Sequence, residues 1–127
     1  MPRLSRVLLL AAIAALAAVA AVGVANASVV GVPTKLSLAN SAPAFHGKVH
    51  SQRSVCERNR KVKMFQRQSG ADDLLGSDRS SPHGKWKVPV AAGSGAYYAK
   101  VKVKAKIDTN GNGVVCHKDH SRTIVID

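Results

Sequence analysis

The stretch "GAYYAKVKVKAKID", residues 95–108, decides the fold class. Tyr97, Ala99, Val101, Val103, Ala105 and Ile107 fall on one side of an extended chain; Tyr98, Lys100, Lys102, Lys104 and Lys106 fall on the other. Apolar residues at every second position mark a strand with one buried and one wet face. The same period recurs upstream. Phe45, Gly47 and Val49 alternate with His46, Lys48 and His50, and Val62 and Met64 alternate with Lys61 and Lys63. Trp86, Val88 and Val90 interleave with Lys85 and Lys87, and residues 122–127 close the chain with Ile124 and Ile126 in phase. No amphipathic helical spacing interrupts these runs, so the pattern predicts an all-β antiparallel sandwich with polar outer faces.

The corner "GSDRSSPHGKWKVPV", residues 76–90, shows how one strand is delivered to the next. Asp78, Ser80, Ser81, Pro82 and Gly84 favour a turn through local side-chain caps, a fixed φ and tolerance of positive φ. Trp86 then points inward, and Pro89, which lacks an N–H, places this strand at an edge or a bulge. Gly93-Ser94-Gly95 makes the following turn.

Arg3 and Arg6, the apolar run 7–24 and Ala25-Asn26-Ala27 read as a signal peptide cleaved before Ser28. The rival reading of the run is a membrane anchor at the lower edge of spanning length. Cleavage predicts a secreted or envelope-associated protein with no stable membrane insertion afterwards. Residues 28–44, with Pro33 and Pro43 and little periodicity, read as a tether or an edge strand, and the sandwich is expected over 45–127. Loss of Arg3 and Arg6 takes the formal charge from +12 to +10. A small, self-repelling domain gains from a covalent staple. In an oxidising compartment the only two cysteines, Cys56 and Cys116, are expected to form a disulfide, since no C-x-x-C spacing suggests a redox or metal pair.

The segments "GKV" (47–49), "KVKMF" (61–65), "DDLLGSDRSSPHGKWKVP" (72–89) and "GAYYAKV" (95–101) resemble transthyretin-like and carboxypeptidase-regulatory-like domains. In those domains a T/S-D-x-x-G-x-[F/W] corner precedes a short strand, and G-x-Y opens the next; here the corner is one residue longer than the common form. The layout is also similar to small secreted actinobacterial proteins carrying the same two cysteines. The resemblance implies a small immunoglobulin-like or transthyretin-like antiparallel sandwich used as an accessory or binding module. Its catalytic branch, the hydroxyisourate hydrolases, ends in Tyr-Arg-Gly-Ser, whereas this chain ends Thr123-Ile124-Val125-Ile126-Asp127.

Candidate chemistry is sparse. Asp108, Asn110, Asn112 and Asp119 match positions of a calcium loop, with Gly113 at the turn, yet a strand stands where an EF-hand needs a helix. Two Asn-Gly dipeptides suit a β-hairpin equally well. His46 and His50 lie two pleats apart, about 13 Å, too far to share one ion, and His117 and His120 sit among Lys118 and Arg122. No G-x-S-x-G elbow, triad or carboxylate pair stands out, so an enzyme and a cofactor are not expected.

The basic surface is the stronger signal. Lys100, Lys102, Lys104 and Lys106 form a row spaced about 6.5–7 Å, within one Debye length, and "ERNRKVK" (57–63) adds to it. Few aromatics argue against specific nucleic-acid binding. Anionic cell-wall polymers or glycans suit the compartment. The row therefore has two readings: a face for polyanions, or lysines that only keep a structural or protein-binding sandwich soluble and its edges apart.

Overall fold

The computed structural model describes residues 29–127; the expected signal segment 1–27 lies outside the described residues. The alternating runs become strands β1 (Val29–Val32), β2 (Thr34–Leu36), β3 (Ala39–Ser41), β4 (Ala44–Ser51), β5 (Lys61–Gln66) and β6 (Asp73–Arg79). They continue as β7 (Lys85–Val88), β8 (Gly95–Val101), β9 (Lys104–Ile107), β10 (Gly113–Cys116), β11 (Asp119–His120) and β12 (Ile124–Ile126). Ser54–Cys56 forms a 3-10 turn, and the described residues contain no α-helix.

Two sheets enclose the main core. One runs β11-β8-β5-β6, with β12 also on β8; the other centres on β4, with β2 and β3 along one edge and β7 on the other. Leu36, Leu38, Phe45, Val49, Val62, Met64, Trp86, Val88, Tyr97, Ala99 and Val101 fill the space between them. Every pairing in these two sheets is antiparallel. Trp86 is 2% exposed, as its phase requires, and β7 is an edge strand that stops one residue before Pro89.

Two glycines let backbones meet. A Cβ on Gly47 would stand 2.0 Å from the Ser37 carbonyl oxygen, and one on Gly84 (φ +81°) would stand 2.3 Å from that of Val49. Gly84 thus turns the chain into β7 in a conformation that L side chains rarely adopt.

A third sheet, β1-β10-β9, closes one end, with β1 parallel to β10. Its own small core is Val32, Val55, Val114 and the disulfide Cys56–Cys116, which bridges a sequence separation of 60.

Residues 29–44, within the stretch expected as a tether or an edge strand, hold three short strands, each at a sheet edge, and Val32, Leu36 and Leu38 are buried. Pro33 and Pro43 only interrupt these strands, which are too short for a period to show. The run 95–107 is not one strand. It leaves the first sheet after Val101 and enters the third at Lys104 with its phase reversed. Val103 and Ile107 are 57% and 69% exposed, while Lys106 is half-buried.

The break is held by Arg60, 1% exposed. Its Nη1 donates to the Cys56 carbonyl (2.8 Å) and Thr34 Oγ1 (3.1 Å), and its Nη2 to the carbonyls of Lys102 (2.8 Å) and His117 (3.0 Å). The stretch read as surface charge therefore contains a structural cation.

Cys116→Ser releases a long loop in the unfolded chain and is expected to lower stability by about 4 kcal/mol, read as a fall in denaturant midpoint. An unchanged midpoint would refute the staple. Arg60→Met strips three carbonyls of their donor, at about 1–3 kcal/mol for each kept dry, so a loss above about 3 kcal/mol is expected. Wild-type stability in that variant would mean that water already serves those oxygens.

Candidate functional site

The outward residues of β5 and β8 meet by register. Lys63 lies opposite Lys100 and Phe65 opposite Tyr98, with Lys61 and Lys102 at the next outward positions. The Phe65 and Tyr98 rings stack with centroids 5.4 Å apart and planes 14° apart. The Arg67 guanidinium sits 4.6 Å over Tyr98, and Lys100 Nζ lies 5.5 and 5.6 Å from the two ring centroids. Ring quadrupoles attract such cations and hold them over the sheet. Lys61, Lys63, Phe65, Lys100 and Lys102 line a cleft of about 440 Å³.

One carboxylate, Asp72, borders this cluster and feels the charges of Arg67 and Lys100, but among the described residues none lies within 4.0 Å of a lysine ammonium. The Tyr98 hydroxyl donates to Asp72 Oδ2, and the Gln68 N–H donates to Asp72 Oδ1 at 3.0 Å. The first bond, then the second, holds the Asp72 carboxyl below its ordinary range, and the same Asp72 bond raises the Tyr98 phenol. Other carboxylates are likewise committed. Glu57 accepts from the Ser51 N–H, Asp73 from the Gln68 side chain, Asp78 from the Arg79 and Lys87 N–H groups, and Asp119 from the Leu36 N–H. Among the described residues a single ion pair is found within 4.0 Å, Arg53–Asp108 at 3.5 Å. The Lys63 ammonium is accordingly pushed down, chiefly by the charge of Lys102, then by burial and Lys61.

Of the lysines nominated from sequence, Lys100 and Lys102 belong to the cleft and Lys104 and Lys106 do not. Lys106 turns beneath the third sheet and donates to the Arg58 carbonyl. Burial first, then Arg60, Arg58, Lys104 and Arg79, bring its pKa down to about 8. Lys61 and Lys63, which the sequence places in the basic segment 57–63, meet Lys100 and Phe65 only through the pairing of β5 with β8.

The calcium reading separates. Asp108 Oδ1 accepts the N–H groups of Asn110 and Asn112, both at 2.9 Å, which closes a β9–β10 hairpin. Asp119 is instead on β11, with Oδ2 taken by Leu36 at 2.8 Å. Those two backbone bonds, the Asn112 one first, with Arg53 adding its charge, lower the Asp108 carboxyl against the opposing effect of burial. His50 and His120 line a groove of about 940 Å³ with Lys35, Asp119 and Arg122. Among the described residues no group of three or more His, Cys, Asp or Glu is placed to hold a metal ion.

No family model matches this chain, and no curated protein does. Among solved structures, a 9R-lipoxygenase from Cyanothece PCC8801 aligns with 75% of this chain and 14% of its own, at 13% identity and a TM-score of 0.35. The chain spans a small part of that protein, and a likeness at this level carries no argument.

Lys106 gives a pH signature. Below about 8 it is charged in both states, and the fold bears the full cost of burying that charge. Between about 8 and the ordinary 10.5 the unfolded chain holds the proton more tightly, so stability rises with pH across that window. Lys106→Gln is expected to flatten the rise relative to wild type in denaturant midpoints taken on both sides of it. A variant with the wild-type slope would overturn the assignment.

Proposed function

We propose that this chain is an exported, non-catalytic binding module of transthyretin-like type, which holds anionic cell-envelope polymers or glycans on the β5–β8 face. The observation that carries this reading is the cross-strand cluster of Lys61, Lys63, Lys100 and Lys102 around Phe65, which outnumbers its one neighbouring carboxylate, Asp72. Like charges placed opposite each other destabilise an antiparallel pair, and an anion laid between them relieves that repulsion. Phe65 offers apolar area in the midst of the charge, on which the carbon skeleton of a polymer can rest. The signal-like N-terminus and the disulfide suit an exported protein that meets such polymers.

Replacing Lys61, Lys63, Lys100 and Lys102 with Gln tests the face. Heparin binding should weaken roughly 100-fold or more, taking about 1 kcal/mol per lysine at an anionic surface. Wild-type binding should also fall steeply from low to physiological salt. The control exchanges Lys104 and Lys118 for Gln and should retain most of the affinity. Equal binding by the quadruple variant and wild type would mean that the lysines serve solubility only.

A further inference from the structure

We propose that the outer face of the third sheet is a docking surface for an anionic lipid bilayer, on which the domain lies without spanning it. The register places Val29, Gly113 and Ile107 side by side, and likewise Gly31, Val115 and Ala105. One side of the sheet turns Val32, Val114 and Cys116 into the small core. Val29, Gly31, Ala105, Ile107 and Val115 share the other side, with Val103 in phase beside them, and none of the six has a polar side-chain atom. The His117 imidazole, laid against Gly31, is the polar group at its border. The other two sheets set lysines outward instead, Lys63 and Lys100 on one and Lys85 and Lys87 on the other. Six large apolar side chains are exposed among the described residues; four of them, Val29, Val30, Val103 and Ile107, belong to this sheet or lead into it. An apolar patch kept clear of charge on so basic a surface marks a contact site.

Charge and the chain before β1 identify the occupant. Residues 28–127 carry a formal +10, the +12 of the whole chain less Arg3 and Arg6, so a second copy is repelled and an anionic lipid surface attracts. The apolar run 7–24 ends five residues before Val29, a reach of at most about 18 Å when fully extended. A signal or anchor segment of that kind enters the membrane, so β1 opens the domain beside the bilayer and brings its own sheet there first. The seat is shallow. The outer edges of β1 and β9 have no strand partner among the described residues, and their backbone groups need water. The face therefore rests at headgroup depth, with its valines and isoleucine among the upper acyl carbons. This inference goes beyond the β5–β8 reading and does not rest on it.

The exported form keeps every described strand, both cores and the disulfide, and is the material to test. The probes are vesicles and nanodiscs of mixed phosphatidylglycerol and phosphatidylcholine, the nanodiscs doped with a spin-labelled lipid. Relaxation enhancement of backbone amide signals should be greatest at 29–31, 103–107 and 113–115. Exchange of Val29, Val103 and Ile107 together for Thr keeps β-branched side chains and removes apolar area. Vesicle binding at physiological salt should weaken roughly tenfold or more, while heparin binding, which also reports an intact fold, stays at the wild-type level. The control, Leu74→Thr with Val125→Thr, alters the two exposed apolar residues that lie elsewhere and should bind vesicles as wild type does. Enhancement centred on 61–65 and 98–102 would mean that the lysines of the β5–β8 face hold the lipid, which overturns the proposal and spares that face. Vesicle binding by the triple variant equal to wild type also overturns it. So does a lipid-free wild-type dimer that the triple variant abolishes, since the face would then belong to a second copy.

Discussion

A guanidinium held by four uncharged oxygens is the constraint on which this fold turns. Taking a cation out of water costs several kcal/mol, and Arg60 has no carboxylate to offset it. Burial accordingly pushes its pKa down. What it receives instead is a full set of acceptors: three carbonyls and a hydroxyl from four separate places in the chain, β2, the 3-10 turn, the β8–β9 connection and the residue after β10. Backbone carbonyls at strand ends need donors as much as a buried cation needs acceptors, so the two requirements answer each other. The backbone of Arg60 is fixed as well, since its N–H donates to Ser80 Oγ at 2.8 Å and its carbonyl accepts from the Ser80 N–H at 2.9 Å. The Cys56–Cys116 bond then locks the same corner covalently.

The shape of the candidate site follows from that corner. With the Lys102 carbonyl drawn to Arg60, the chain cannot extend β8 further, and it resumes as β9 on a different sheet. Residues 102 and 103 lie outside both ladders, and the sheet that the chain then enters turns its covered side to the even-numbered residues. Lys104 and Lys106 therefore face the same side as the buried Cys116 and Val114, their partners in register, while Val103 and Ile107 go to water. A row that looks continuous in sequence is cut in half, and the half left on β8 finds its complement on β5.

This separates what the sequence could reveal from what it could not. The alternation through 45–49, 61–64, 85–88 and 97–101 was legible because each run is buried on one side by neighbours of the same kind. Trp86 was placed by phase, and the disulfide by compartment and an even count. Arg60 was illegible, since an arginine between Asn59 and Lys61 looks solvated unless the carbonyls that gather around it are known. The strands within 28–44 were hidden because three or four residues cannot display a period. Asp108 and Asn112 have one sequence pattern for a hairpin closed by its own carboxylate and for a loop around an ion. In the structure the Asp108 carboxylate accepts two backbone N–H groups of its own hairpin, an arrangement that the sequence pattern does not spell out. Of the cleft, Lys100 and Lys102 could be named in advance; Lys63 and Phe65 needed the register of β5 on β8, a pairing set by tertiary packing.

The distribution of the few acidic residues gives the surface its character. Carboxylates normally interleave with lysines across a sheet face, where an opposite-charge pair adds a modest stabilisation. Here they serve other ends: Asp108 closes a hairpin, Asp119 ties β11 to β2, Asp78 ties β6 to β7, and Asp72 anchors Tyr98. Each stabilises backbone or core geometry, and among the described residues none lies within 4.0 Å of a lysine ammonium. The folded domain consequently holds a strain that the unfolded chain, with its charges spread apart, does not share. A ligand that binds only the folded state adds its binding free energy to folding, and one that also removes this repulsion does so most where the lysines stand closest. On the proposed reading, folding and polyanion binding draw on the same charges, while Arg60 and the disulfide hold the domain together without a ligand.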